Sequence, residues 1–486
     1  MVKLLKFIED KSFFWGITFL LFFIPLYPKF PLFSVPETYV SIRLEDIFVA
    51  LVVALFCFWV VLKRNFSILK WSLTKAIFLY FAVGLLSVLS GIFITKNIVP
   101  HLALLHFLRR VEYLSLLFVT YYSIKQIRQL KTYGWVILVA AFGVICYGLG
   151  QKFLSWPVVS TMNREFSKGM ILRLTWWARV NSTFAGHYDL AAFMVLILPL
   201  TVVAFMVAKK WLVRIPILLL GIFSYYLLLL TASRVSFGAY LVSVLFVLIL
   251  SKKRWFIVPF LVISITGIVL SADLGQRYAA TFKVNLSFLS GMVKVKPPSI
   301  ALAPTITPIP TAIPTVSAHP TLVRVKPSPT LTPTPTPVEA TPAAEIFEPT
   351  ELAVSRSTDI RLKVEWPRAI LAFLKNPLLG TGYSSITLAT DNDYLRMLGE
   401  TGILGFLAFF AIILEIFKRI RLFLKDPSAS KEAKLYIIGI LGSAVGYFLN
   451  ATFIDVFEAS KIAFFFWIMI GVGLKVIDLD MQNLKS

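Results

Sequence analysis

Stretches such as Phe13 to Leu21, FFWGITFLL, and Leu190 to Leu200, LAAFMVLILPL, recur along this chain with almost no charge inside them. A helix crosses a hydrocarbon core with about 20 mainly apolar residues, and a backbone in lipid must satisfy its own hydrogen bonds. That demand leaves a helical bundle as the reading for repeated long apolar runs. About twelve such runs are expected: Ser12–Tyr27, Asp46–Leu62, Ala76–Thr95, Pro100–Ile124, Tyr133–Gln151, Tyr188–Ala208, Leu212–Ser233, Val235–Leu250, Trp255–Ala272, Thr401–Phe417, Leu435–Asn450 and Ile462–Leu474. With 58% hydrophobic and only 15% charged residues among 486, no soluble domain could hide this much apolar surface. No cleavable signal is expected, because the first run lacks a small-residue cleavage site and is followed by further runs.

Short basic clusters punctuate the runs: Lys63/Arg64/Lys70/Lys75, Lys125/Arg128/Lys131, Lys209/Lys210/Arg214, Lys252/Lys253/Arg254 and Lys418/Arg419/Arg421/Lys425. By the positive-inside rule they are cytoplasmic, with both termini inside and the alternate loops outside. Outer segments 152–187 and 273–390 are then the places for chemistry. The expected organisation is nine membrane helices in 1–272, a large outer loop in 273–400, and three more helices with a cytoplasmic tail in 401–486. The formal charge of +23 reads as topology and contact with anionic lipid headgroups, not nucleic-acid binding, since no cluster is long enough to build a groove-reading surface.

Cys57 and Cys146 lie in separate runs and define no disulfide framework or metal spacing. The four histidines, His101, His106, His187 and His319, form no zinc motif; Asp391, Asp393 and Glu400 are the only outer carboxylates dense enough to consider for a metal, and no metal or cofactor is expected. Between about 297 and 350 the chain changes to PTITPIPTAIPTV and PSPTLTPTPTP. Repeated proline favours extended polyproline II, and large apolar residues are too few to pack, so this segment reads as a linker in a surface loop.

Three outer segments carry sharper information: NSTFAGHYDLAAFMVLILPL (181–200, preceded by Arg179), LLLLTASRVSFGAY (227–240) and TDNDYLRMLGETGILGFLAFF (390–410). A fourth, RLKVEWPRAILAFLKNPLLGTGYSS (361–385), precedes the last. In this order the chain resembles the O-antigen ligase and polymerase family of bacterial polytopic membrane glycosyltransferases. The resemblance implies an all-α membrane fold of the GT-C-like type, with a large extracytoplasmic loop between helices nine and ten. It implies transfer of a glycan from an undecaprenyl-pyrophosphate carrier to an acceptor hydroxyl on the outer face of the cytoplasmic membrane, in cell-surface polysaccharide synthesis. The alternatives are a polymerase of the same family or, from another class, a lipid-linked glycan flippase. The implied partners are the lipid-linked donor, a glycan or lipid hydroxyl acceptor, and membrane lipids.

In that family the last motif usually begins His-Asn, and here Asp391 stands in the histidine position, while Asn392, Leu395, Glu400, Gly402 and Gly405 match. A carboxylate can act as a general base. Planar guanidinium groups bind pyrophosphate bidentately and stabilise it as a leaving group, which gives Arg179 and Arg234 catalytic roles beside Asp391. Arg361, Asn392, Arg109, Arg110, His187 and Glu400 are expected to bind substrate. Two structural expectations compete with these roles: Thr390-x-x-Asp393 reads as a capping box, and Glu112 lies three residues from Arg109, where it can pair along a helix. Arg396 is spaced to pair with Asp393 and Glu400, and Trp366-Pro367 opens a short amphipathic helix through Lys375.

Overall fold

The computed structural model describes residues 11–38, 41–63, 70–161, 166–175, 178–282, 359–387 and 389–483. The Pro/Thr-rich segment 297–350 lies outside these. The described chain is helical apart from two small hairpins, and it is a multi-pass membrane protein. Helix α1 (Phe13–Leu26) leads to strands β1 (Phe33–Ser34) and β2 (Ser41–Ile42), paired antiparallel, then α2 (Leu44–Lys63). There follow α3 (Ser72–Ser90), α4 (Pro100–Ser123) and α5 (Ile127–Phe153), and a second hairpin, β3 (Val158–Val159) with β4 (Ile171–Leu172). Next come α6 (His187–Val207), α7 (Trp211–Leu230), α8 (Arg234–Leu250), α9 (Ile257–Leu270) and α10 (Ala272–Phe282). After the undescribed stretch stand α11 (Trp366–Lys375), α12 (Asp393–Lys425), α13 (Lys431–Asn450) and α14 (Ser460–Asn483).

Each of the twelve expected runs falls on one of these helices. Eight helices among the described residues are long and apolar enough to cross a membrane by themselves, or up to nine if the bent α9–α10 pair counts as one span. Helices α1 and α8 are shorter apolar helices. Helix α4 has 24 residues but carries Arg109, Arg110 and Glu112 in its middle. The number twelve therefore stands as a sequence expectation, not as a count of complete spans.

Burial sorts the helices into layers. The apolar window of α14 is 83% buried, whereas that of α2 is 28% buried, so α14 runs through the middle and α2 faces lipid. Around α14 pack α4 and α13; α13 in turn contacts α6 and α8, and α3 lies along α12. Gly471 lets α14 approach α4 so closely that a Cβ there would crowd the Leu117 carbonyl.

Helix α12 is broken at Gly402 (φ 65°, ψ −171°). A break orphans carbonyls before it and amides after it, and the 377–382 loop supplies the missing partners. Thr381 and Gly382 amides donate to the Gly399 and Glu400 carbonyls (both 2.9 Å), and Ile403 and Leu404 amides donate to the Pro377 and Leu378 carbonyls (2.9 and 3.2 Å). Gly380 takes φ 68° in the same stitch, and a Cβ on it or on Gly402 would overlap the facing backbone. The two glycine motifs are one structural unit.

Candidate active site

One end of the bundle gathers the motif residues. Arg179 lies on the segment that enters α6, and that segment is clamped by Gln151 of α5: Gln151 Oε1 accepts from the Ser182 amide (2.8 Å) and Nε2 donates to the Ser182 carbonyl (2.9 Å). Ser182, in the left-handed region at φ 51°, is buried and donates its hydroxyl to the Val144 carbonyl (2.7 Å). A guanidinium nitrogen of Arg179 lies 2.7 Å from His187 Nε2. Since arginine can only donate, Nε2 is the acceptor and His187 is held as the neutral Nδ1–H tautomer. His187 also packs its ring against Tyr188 at 4.1 Å.

Arg234 is the first residue of α8, behind the cap formed by Ser233, whose hydroxyl accepts from the Ser236 amide. A guanidinium at a helix N-terminus adds a cation to backbone amides that already favour an anion. The Arg234 carbonyl accepts from Tyr278 of α10 (2.7 Å). Arg361 opens a π-helical turn, Arg361–Glu365, just before α11. The charges acting on Arg234 include Arg361 and Arg179 as well as the Tyr188 and Tyr278 hydroxyls. Arg361 in turn hydrogen-bonds Tyr188. Three arginines that lie far apart in the sequence therefore share one electrostatic neighbourhood around Tyr188.

Asp391 faces this group. Arg361 donates from Nε (2.9 Å) and Nη2 (2.6 Å), both to Oδ2. Burial raises the Asp391 carboxyl above its ordinary value, and the Arg361 guanidinium pulls in the opposite direction. Its backbone is left-handed (φ 49°), a region in which Asp, Asn and His are over-represented among non-glycine residues. The turn is held by Asp455, whose Oδ2 accepts from the Thr390 amide (2.9 Å) and Oδ1 from the Asn392 amide (3.1 Å). Asp455 also receives Arg396 Nη1 at 3.4 Å.

The structure corrects several local expectations. The N-cap of α12 is Asn392, whose Oδ1 accepts from the Leu395 amide (3.0 Å), not Thr390 with Asp393. Asn392 is thereby a structural residue of the turn. Asp393 accepts from the Phe457 amide (3.0 Å). Glu400 is buried and sits 3.9 Å from Arg396 Nε. Asp391, Asp393 and Glu400 thus look toward three different partners, and no group of three or more possible metal ligands exists among the described residues. Arg109 pairs with Asp46 of α2 (3.1 Å) instead of Glu112 on its own helix. Arg110 is tied to Glu458 and donates to the Phe457 carbonyl (3.1 Å). Neither Arg109 nor Arg110 belongs to the cluster around Tyr188.

Two residues of the site escaped the sequence reading. Asp455 is an acid in the short link between α13 and α14, where a polar residue excites no notice. Glu365 stands on the turn with Arg361; burial first, then the charge of Asp391, push its carboxyl up to about 7.

Residues 218–410, which include Arg234, Arg361 and Asp391 but neither Arg179 nor His187, match the family model described as O-antigen ligase. No curated protein matches the chain. With the motif residues of that segment brought together at one end of a multi-helical membrane bundle, residues 218–410 are similar to the O-antigen ligase family.

Proposed function

We propose that the protein is a glycosyltransferase that moves a glycan from an undecaprenyl-pyrophosphate carrier to an acceptor hydroxyl at the outer face of the cytoplasmic membrane. The observation that supports this reading best is the gathering of Arg179, Arg234 and Arg361 in one neighbourhood around Tyr188, with Arg361 bonded to the Asp391 carboxylate. Arginines bind the two phosphates and take up the charge that develops on the leaving oxygen. Asp391, through the oxygen Oδ1 that the two Arg361 bonds do not use, accepts the acceptor's hydroxyl proton. The acceptor oxygen forms the new bond to the anomeric carbon as the carbon–oxygen bond to phosphate breaks, and that electron pair leaves on the lipid pyrophosphate. His187 is a poorer base here, because its Nε2 lone pair already accepts from Arg179.

The test is transfer in vitro by the purified chain, with lipid-pyrophosphate glycans as donors and a panel of hydroxyl acceptors. A glycosylated acceptor establishes the ligase reaction; a lengthened lipid-linked glycan identifies a polymerase. Absence of either product, with donor translocated across vesicles instead, sinks the reading. Arg234→Lys keeps the charge but loses the bidentate fork and is expected to lower turnover by roughly 100-fold.

A further inference from the structure

Away from the arginine cluster, a cavity of ≈ 210 Å³ opens between α2, α4 and the β1–β2 hairpin. By this measure a single water needs only about 15 Å³, so the space is sized for a larger guest. None of its lining residues belongs to the cluster around Tyr188. Its polar lining is Thr38, Ser41, Asp46, His106, Arg109 and Glu112.

These groups are mixed in kind. Arg109 is already paired with Asp46 through Oδ2 (3.1 Å). Glu112, half-buried on the same wall, makes no hydrogen bond or ion pair among the described residues. A site for an anion would offer spare donors, and one for an ammonium would offer acceptors alone. Here hydroxyl groups and an imidazole, the latter 3.9 Å from Glu458, stand beside a guanidinium and a second carboxylate, the complement of a polyol, whose hydroxyls both donate and accept. An ionisable residue at this depth in a membrane protein normally faces a cavity or a partner.

The remaining walls are apolar and open to lipid. Ile47, Leu105 and Leu108 line the cavity and are exposed, and Ala50 is exposed at the same face of α2. A water-soluble sugar would have to reach its hydrogen bonds past these side chains, whereas an amphiphile would lay its chain along them. We propose that this cavity binds the hydroxyl-rich headgroup of a glycolipid, at a site separate from the arginine cluster. The proposal does not depend on glycosyl transfer.

The experiment uses the full chain in phospholipid nanodiscs and three photoactivatable amphiphiles that share one diazirine-bearing dodecyl chain: a β-glucoside, a phosphate and a trimethylammonium. The glucoside is expected to label the peptide containing Leu105 and Leu108 saturably, at least roughly fivefold above either charged amphiphile, and to be displaced by unlabelled dodecyl glucoside. Ala50→Trp, which fills the mouth, is expected to remove that labelling, whereas Leu212→Trp, on a distant exposed position, is expected to leave it. Glu112→Gln is expected to weaken it severalfold. Equal labelling by all three heads, stronger labelling by a charged one, or labelling that neither saturates nor is displaced would overturn the proposal. The headgroup comparison is made on the wild-type chain, so it decides the matter even where Ala50→Trp does not fold.

Discussion

Asp391 occupies a backbone conformation that most residues resist, with its two flanking amides fixed on Asp455. The turn therefore aims whatever side chain it carries, and it suits Asp, Asn or His on steric grounds. Asp391→Asn is expected to keep the thermal unfolding midpoint and to lower turnover by roughly 100-fold or more, because the amide cannot take the proton; wild-type rates in purified Asp391→Asn would reduce Asp391 to an anchor for Arg361. Asp391→His is expected to retain partial activity. Glu365 makes a separate prediction. Below about pH 7 it is neutral, and as pH rises through about 7 it becomes an anion beside Asp391, where the proposed anionic donor binds. The donor KM is expected to rise about fivefold from pH 6 to pH 8 through this added repulsion, and to stay flat in Glu365→Gln. Asp391, Arg179, Arg234 and Arg361 were legible because each stands in a segment that resembles the O-antigen ligase and polymerase motifs. Glu365 and Asp455 were invisible for the opposite reason: a lone carboxylate on a turn becomes informative only when its distant partners are known.

At the level of the helices, apolar length is a strong local signal, so each expected run coincides with a helix. Ends are set by caps and tertiary bonds, which is why α12 starts at Asp393 under Asn392 and not within a Thr390–Asp393 box. The sequence reading began its tenth run at Thr401, one residue from the break at Gly402, because hydropathy changes where the polar first turns of α12 give way to its apolar stretch. What the pattern could not convey is that the Gly380 loop closes that break. Gly402→Ala is expected to destabilise the protein by on the order of 3 kcal/mol, since Ala is strained at φ 65° and its Cβ would overlap the Leu378 carbonyl. Gly134→Ala on α5 is the control, because a Cβ there meets nothing within 4 Å. Thermal unfolding in detergent distinguishes the two, and equal midpoints would remove the stitch as a stabilising element.

Across the whole molecule the basic clusters and the motif residues predict opposite sides. In a background lacking Cys57 and Cys146, Asp359→Cys is expected to react with an impermeant thiol reagent in intact cells and Ser428→Cys only after permeabilisation; both positions are exposed. The reverse pattern would turn the bundle over. Ser182, in contrast, makes a poor reporter of sidedness, since its side chain is buried against α5.

The stitch between the Gly380 loop and α12 also bears on how freely this chain can change over time. From Asp359 onward, the turn carrying Arg361, helix α11 and the loop are secured to α12, and Asn376 Nδ2 donates to Ser90 Oγ of α3 (2.9 Å). The position of Arg361 opposite Asp391 is set from its C-terminal side, so the number of residues preceding Asp359 is not a parameter of the site. Replacing 297–350 by a short Gly/Ser bridge is accordingly expected to preserve transfer activity in membranes, and complete loss at normal protein abundance would show that the segment itself contacts a substrate. By the same logic, the segment upstream of Asp359 can lengthen or shorten while the geometry from Asp359 onward stays constant.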